Sequence, residues 1–136
     1  MIPKFRAWDK KKERMIEWID LDFSKDNGED FIIVFEPTGI VRDAIISPIL
    51  LQSTGLFDKH GKEIFEYEIV DVRTLEGTIY LRGVVKKVKG GFYIEELYNS
   101  KIIPLTDFYF KSYTNTLEIE ILGNIYEHKG LLDNDS

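Results

Sequence analysis

A chain of 136 residues, 43% hydrophobic and 31% charged, has the size and balance of a globule with one real core, and it is too apolar for disorder. It holds no cysteine, which excludes disulfides, thiolate catalysis, thiolate metal sites and iron–sulfur clusters, and suits a reducing compartment. The formal net charge of −6 repels a phosphate backbone on average, so general nucleic-acid binding is disfavoured.

The amino terminus, Met1-Ile2-Pro3-Lys4-Phe5-Arg6, carries charge where a secretory signal needs an apolar core. The longest apolar runs, such as Phe31 to Phe35, are too short to cross a bilayer. A cytoplasmic protein with no membrane association is therefore expected. Phe5 to Trp8 and Met15 to Phe23 read as two strands joined by the charged turn Asp9-Lys10-Lys11-Lys12. From Lys4 to Arg14 six basic residues stand against two acidic ones, a local charge of +4; from Glu17 to Glu36 seven acidic residues stand against Lys25, a local charge of −6. A solvated turn beside a solvated strand face accounts for both, and a basic tip that steers a partner is the sharper alternative. Asp26-Asn27-Gly28 marks a tight turn into Phe31-Ile32-Ile33-Val34-Phe35, apolar on both faces and so a central strand. Pro37-Thr38-Gly39 turns the chain into Ile40 to Ile46.

Ser47 before Pro48 is a fair helix start, so Ser47 to Gln52 and, later, Thr106 to Phe110 are each given a helical turn. Asp58-Lys59-His60-Gly61 is a turn, and Ile64 to Val70 follows as a strand that partly alternates. Thr78 to Val88 is extended, with Gly83 as a bulge or bend, and Gly90-Gly91 turns into Phe92-Tyr93-Ile94. Leu117 to Ile121 alternates strictly, with its glutamates toward water and its aliphatics toward the core. The expected fold class is mainly β: antiparallel strands in a small barrel or sandwich, with little helix. The chain is expected to be one structural unit over residues 1–136.

Catalytic chemistry is hard to assemble. His60 and His128 both sit in charged, exposed-looking contexts, and no Gly-x-Ser-x-Gly elbow, Walker A loop or Gly-x-Gly-x-x-Gly loop occurs. The carboxylate pairs Asp20/Asp22, Glu66/Glu68 and Glu118/Glu120 have the strand spacing that a hard cation or a glycosidase needs. Half-exposed strands produce the same spacing, and the solvated face is the expectation for each. Lys86, Lys87 and Lys89 precede Gly90-Gly91 and Phe92-Tyr93 and form the candidate nucleic-acid-binding rim, with a guarded sheet edge as the plainer account. Arg6, Lys10 to Lys12 and Arg14 would extend it. Nine Phe, seven Tyr and two Trp are many for one core, and Phe108-Tyr109-Phe110 is too dense for one side of a strand. Those three residues are the candidate partner-binding surface, and a homo-oligomer is one way of covering it.

Three segments, read together, resemble the YopX family of small phage and prophage proteins. Lys4-Phe5-Arg6-Ala7-Trp8-Asp9 is similar to the family's opening K-F-R-A-W-D. Gln52 to Glu66, including Thr54-Gly55-Leu56, Asp58 and Gly61-Lys62-Glu63-Ile64, is similar to its central Q-Y-T-G-L-x-D-x-x-G-K-E-I-Y-E. Leu122-Gly123-Asn124-Ile125-Tyr126-Glu127 is similar to the closing I-G-N-I-Y-E. Ser53 stands where the family has tyrosine, and Tyr67 where E-G-D-I-V has glycine. Physics explains much of this set without any activity: Thr54-Gly55 and Asp58 to Gly61 as turn positions, Trp8 as a core anchor, Gly123-Asn124 as a strand-ending bend. The resemblance implies a β-rich intracellular fold with an SH3-like, partly open barrel, in a phage-encoded context. Within the single unit, the expected subdivision is an N-terminal β lobe 1–55 packed on a barrel-like lobe 56–136. The resemblance implies no reaction.

The expected function is a non-enzymatic binding or regulatory protein that contacts a host or phage protein, with no catalytic residue, no metal and no cofactor. A nucleic-acid-binding barrel using Lys86, Lys87 and Lys89 is the alternative, and a metal-assisted hydrolase built on a carboxylate pair is the third reading.

Overall fold

The computed structural model describes residues 4–17, 21–26, 29–35, 41–46, 49–89, 91–99, 101–105 and 117–132, with the backbone alone for 21–26, 29–35 and 41–46. The chain divides into two compact units, Met1–Ser53 and Thr54–Ser136. The fold is mainly β and antiparallel, as the punctuation by turn residues predicts. Its one short 3-10 helix among the described residues is Lys129–Leu132, and none of the described helices is long and apolar enough to cross a membrane.

In the first unit, β1 (Phe5–Asp9) lies between β2 (Arg14–Ile16) and the first half of β6 (Ile49–Phe57), with Ala7 opposite both Ile16 and Leu50. Ala7, Trp8 and Ile16 are buried, so the indole serves as the anchor its size suggests. The hairpin tip differs from a freely solvated turn. Asp9 is buried, and its Oδ1 accepts from the N–H groups of Lys11 (3.1 Å) and Lys12 (3.3 Å) while Oδ2 accepts from Arg14 Nε (3.3 Å). A carboxylate that folds the next turn back onto itself keeps the three lysines on the rim.

The second sheet of this unit is β3 (Leu21–Asp26), β4 (Glu29–Phe35) and β5 (Val41–Ile46), with β4 central, as its unbroken apolar run predicts. Asp26 stands opposite Glu29, which fits the hairpin expected around Asn27-Gly28. Two expectations are corrected. Met15 to Phe23 is not one strand, since β2 ends at Ile16 and β3 begins at Leu21. Ser47 to Gln52 is not a helical turn, since Ile49 to Gln52 are extended in β6 against β1. Pro48 signals a helix start only locally, whereas Leu51 gains complete burial in the sheet, and burial decides.

In the second unit, β8 (Glu68–Thr74), β9 (Ile79–Val88), β10 (Gly91–Glu96), β11 (Ile102–Pro104) and β12 (Leu117–Asn124) form a sheet in the order β11-β10-β9-β8-β12. It curls into a half-barrel, the partly open form the resemblance implies. One face supplies the core: Val70, Val72, Leu81, Val85, Ile94 and Ile119 pack with Ile64 and Leu105. Gly83 sits in this face with its neighbours too close for a side chain. A Cβ there would lie 2.5 Å from Ile94 Cγ2 and 2.6 Å from the Glu95 carbonyl oxygen, so the glycine serves close packing, not a bulge. The bulge in β9 lies at Tyr80, because Val72 pairs with Leu81 and Arg73 with Ile79.

The expected strand Ile64 to Val70 is broken. β7 (Glu63–Phe65) and β8 are joined through Glu66 and Tyr67, and Tyr67 adopts φ 62°. Its N–H donates to the Val85 carbonyl (2.6 Å), its own carbonyl accepts from Ile125 N–H (3.0 Å), and its ring meets Tyr126 edge-on at 6.1 Å. The glycine that the YopX pattern carries here is thus accounted for by backbone handedness. Tyrosine carries the strain and adds the ring contact with Tyr126, while the two backbone bonds that fix the turn are open to any residue there. Expected Thr54-Gly55 turn geometry is likewise replaced by strand: Gly55 lies inside β6, with φ 77°.

Tyr67 offers a sign test. Tyr67→Ala and Tyr67→Gly both lose the Tyr126 contact, but only glycine relieves the positive φ. Chemical denaturation is expected to find Tyr67→Gly the more stable of the two by about 1 kcal/mol, the reverse of the usual order in a strand. An alanine variant at least as stable as the glycine variant would show that the backbone there is unstrained.

Candidate functional site

The turn after β6 is organised by one carboxylate. Asp58 is buried; its Oδ1 accepts from the N–H groups of His60 (2.9 Å) and Lys62 (2.9 Å), and its Oδ2 accepts from Ile121 N–H of β12 (3.1 Å). The Asp58 N–H donates to the Lys62 carbonyl (2.8 Å), and Lys59 N–H donates to the Ile119 carbonyl (2.9 Å). The turn therefore plugs an outer-edge stretch of β12 that would otherwise present open backbone groups. Burial pushes the Asp58 carboxyl upward, but the N–H bonds from Ile121, Lys62 and His60 outweigh it and hold the group below the usual carboxylate range.

Other polar groups in the segments that carry the resemblance act in the same way. Thr54 Oγ1 donates to the Ile64 carbonyl (2.8 Å) and accepts from Leu56 N–H (3.1 Å). Asn124 Oδ1 accepts from Tyr126 N–H (3.0 Å) and Glu127 N–H (2.9 Å), closing the bend after β12 that Gly123-Asn124 predicts. Glu68 is buried and accepts from Phe65 N–H (2.6 Å), so Glu66/Glu68 is not a solvated pair: the break at Tyr67 removes the alternation on which that expectation rests. Glu118 and Glu120 do share a face. Glu120 Oε2 lies 3.1 Å from Lys59 Nζ and 3.3 Å from His60 Nε2, and the bond from Lys59, then that from His60, holds its carboxyl below the usual range. His128 Nδ1 accepts from Asn124 N–H (3.1 Å). Among the described residues, no three histidine or carboxylate side chains come together as metal ligands would.

The sheet face opposite the core carries a second group of charges. Asp71 is fully buried there, facing Glu120 on one side and Arg82 on the other. Its Oδ1 accepts from Arg82 Nε (2.6 Å), and its Oδ2 accepts from Arg82 Nη2 (3.1 Å) and Arg73 Nη2 (2.8 Å). The hydrogen bonds that Arg82 donates to Asp71 raise the guanidinium above its ordinary range. Beside Arg82 lies an open depression of about 240 Å³ lined by Ile79, Tyr80, Leu81, Arg82, Glu96 and Tyr98. Ile79, Tyr80 and Tyr98 are 48%, 60% and 49% exposed.

The anticipated lysine rim is not one surface. Lys86 stands opposite Tyr93 and Lys87 opposite Phe92, on alternate faces of β9. Lys86 Nζ lies 3.2 Å from Glu95 Oε1, Lys87 Nζ lies 6.0 Å from the Phe92 ring centroid, and Lys89 is exposed. Phe108, Tyr109 and Phe110, the helical turn expected over Thr106 to Phe110, and the pair Asp20/Asp22 lie outside the described residues and side chains. The Tyr80–Arg82–Tyr98 cluster is missed by sequence reading. Its one signal is Ile79-Tyr80-Leu81, which interrupts alternation just where the bulge lies.

Two solved structures share this architecture. Protein EF1440 from Enterococcus faecalis superposes with a TM-score of 0.66 at 24% identity, over 98% of this chain and 99% of that one. Protein yopX from Bacillus subtilis does so with a TM-score of 0.64 at 20% identity, over 96% and 98%. At these identities the likeness establishes the fold. The family model described as "YopX protein" matches residues 4–133, and the chain belongs to the YopX family. No curated protein matches the sequence.

Asp58 generates a prediction with a defined sign. A carboxyl whose pKa is lower folded than unfolded contributes stability fully above the unfolded value of about 4 and loses it as pH falls through the folded one. Asp58→Asn turns an amide group toward N–H donors and is expected to cost about 2–3 kcal/mol at neutral pH. It also flattens the fall in melting temperature below about pH 4. A variant with wild-type stability and an unchanged acid limb would remove Asp58 from this role.

Proposed function

We propose that this YopX-family chain is a non-enzymatic interaction module of phage or prophage origin that captures a partner protein in the bacterial cytoplasm. The observation that carries the reading is the exposed Ile79, Tyr80 and Tyr98 around an open depression with Arg82 at its side. Large apolar side chains exposed together mark contact surfaces. Tyrosine and arginine are the residue types over-represented where a few side chains carry most of the binding energy. The buried polar groups described above are used up in turns and strand edges, which supports a structural assignment for them. The lysines of β9 are spread over two faces, so they favour nucleic acid less than the tyrosine cluster favours a protein.

The test is capture from bacterial lysate by the tagged protein, with and without nuclease, comparing wild type with the double variant Tyr80→Ala/Tyr98→Ala. The expected result is a specific protein retained with nuclease present and lost in the double variant, whose melting temperature stays within about 2 °C of wild type because both rings are exposed. Capture abolished by nuclease would replace this reading with the nucleic-acid one. Capture unchanged in the double variant would remove the depression as its surface.

A further inference from the structure

The two histidines stand in opposite situations. His60 Nε2 lies 3.3 Å from Glu120 Oε2, so a proton on that ring strengthens the contact it already makes. His128 Nδ1 instead accepts from the Asn124 N–H (3.1 Å). A backbone N–H is always a donor, so this bond exists only while Nδ1 keeps its lone pair and the ring is the neutral Nε2–H tautomer. Protonation puts a second donor where the acceptor was, and the bond is lost.

The ring also needs a particular seat. A Cβ at Gly123 would lie against His128 Nδ1, 2.6 Å from its Cγ and 3.0 Å from its Cβ. Gly123 is not at positive φ, so its missing side chain serves the imidazole and not the backbone. The rest of the turn is held by main chain: His128 N–H donates to the Asn124 carbonyl (3.0 Å), and Leu131 N–H donates to the His128 carbonyl (3.0 Å). This leads into the 3-10 helix Lys129–Leu132, which has no buried residue. A single short turn without a buried face has little stability of its own, so its position depends on the clasp before it. His128 is itself exposed, and its ring can leave Gly123 for water without opening a cavity in the core. A charge on the ring therefore biases a choice between two accessible arrangements.

The groups around the ring do not stand in for the lost bond. Its own turn carries Tyr126, exposed Lys129 and Glu127, whose Oε1 accepts from Asn124 Nδ2 (2.9 Å). Opposite Gly123 and Asn124, β8 places Ile69 and Glu68, with Glu68 Oε1 accepting from Phe65 N–H. The turn before β8 adds Glu66 and Tyr67, whose ring meets Tyr126. Among the described residues, none of these carboxylates, hydroxyls or the Lys129 ammonium is bonded to the His128 ring.

We propose that His128 is a pH-dependent latch. Neutral, its ring lies on Gly123 and ties the helix Lys129–Leu132 to the end of β12; protonated, it leaves Gly123 and the helix comes free. The latch is independent of the partner-capture reading above.

The test is NMR of the full chain, followed from about pH 8 to about pH 5, the span over which histidine changes charge. The chain holds two histidines, so each ring signal is assigned by substitution. The Asn124 amide signal is expected to shift in step with the His128 ring. Backbone order over Lys129 to Leu132 should fall with it, from rigid values to order parameters below about 0.6. His128→Asn places Oδ1 where Nδ1 stands and does not titrate, so both changes should vanish and the helix should stay ordered at low pH. Gly123→Ala fills the seat and should give the free-helix signature already at about pH 8. His60→Asn should leave the wild-type transition in place. An Asn124 amide and helix order that stay constant while the His128 ring titrates would overturn the latch, as would the same transition persisting in His128→Asn. A folded Gly123→Ala variant with an ordered helix at about pH 8 would overturn the seat. If Gly123→Ala does not fold, the comparison of wild type with His128→Asn decides alone.

Discussion

The Asp58 carboxylate ties the turn after β6 to the outer edge of the second unit's sheet. A half-barrel has two ends to its sheet, and the backbone groups along each end must be satisfied by something. At β12 the solution is local and economical. The turn that follows β6 folds so that Asp58 collects its own N–H groups from His60 and Lys62 on one oxygen and reaches β12 through Ile121 with the other. Lys59 N–H answers the Ile119 carbonyl one step away. Sequence-near and sequence-distant chain are tied by the same side chain. The interaction is charge-assisted and buried, where such bonds are strong and where leaving any donor unpaired is costly.

The polar residues in the segments that resemble the YopX pattern share that logic. Thr54, Asp58 and Asn124 each bond backbone at a place where a strand ends, bends or meets an edge. Gly61 adopts φ 80° in the Asp58 turn, and Tyr67 adopts φ 62° where the pattern has glycine. A motif set composed of turn closures and special backbone positions describes a fold. The exposed Ile79, Tyr80 and Tyr98 lie outside it, on β9 and in the segment after β10.

That division also explains what could be read from sequence. Strand content, the central position of Phe31 to Phe35, the anchor role of Trp8 and the bend at Asn124 follow from residue type and short-range pattern, and they were legible. Three features were not, two of them because a distant partner overrides a local preference and the third because a backbone turn three residues back needs an acceptor. Ile49 to Gln52 become strand because β1 is there to pair with them. Ile64 to Val70 break at Tyr67 because Val85 and Ile125 hold the turn. Glu68 leaves the solvated face because Phe65 N–H needs an acceptor. The candidate site was illegible for a related reason. Tyr80, Arg82 and Tyr98 look unremarkable in sequence, and only the bulge and the return of the chain after β10 bring them to one depression.

Asp71 links the buried part of the sheet to Arg82 on its open side. A carboxylate with no exposure on the face opposite the core is an expensive way to stabilise a sheet, since desolvating the ions offsets much of their attraction. An apolar residue facing Arg82 would leave the guanidinium free to swing into water. Asp71 instead fixes two of its nitrogens, and Arg73 is divided between the same carboxylate and the Gly77 carbonyl. Orientation of Arg82 beside the exposed Tyr80 and Tyr98 is what the buried charge achieves.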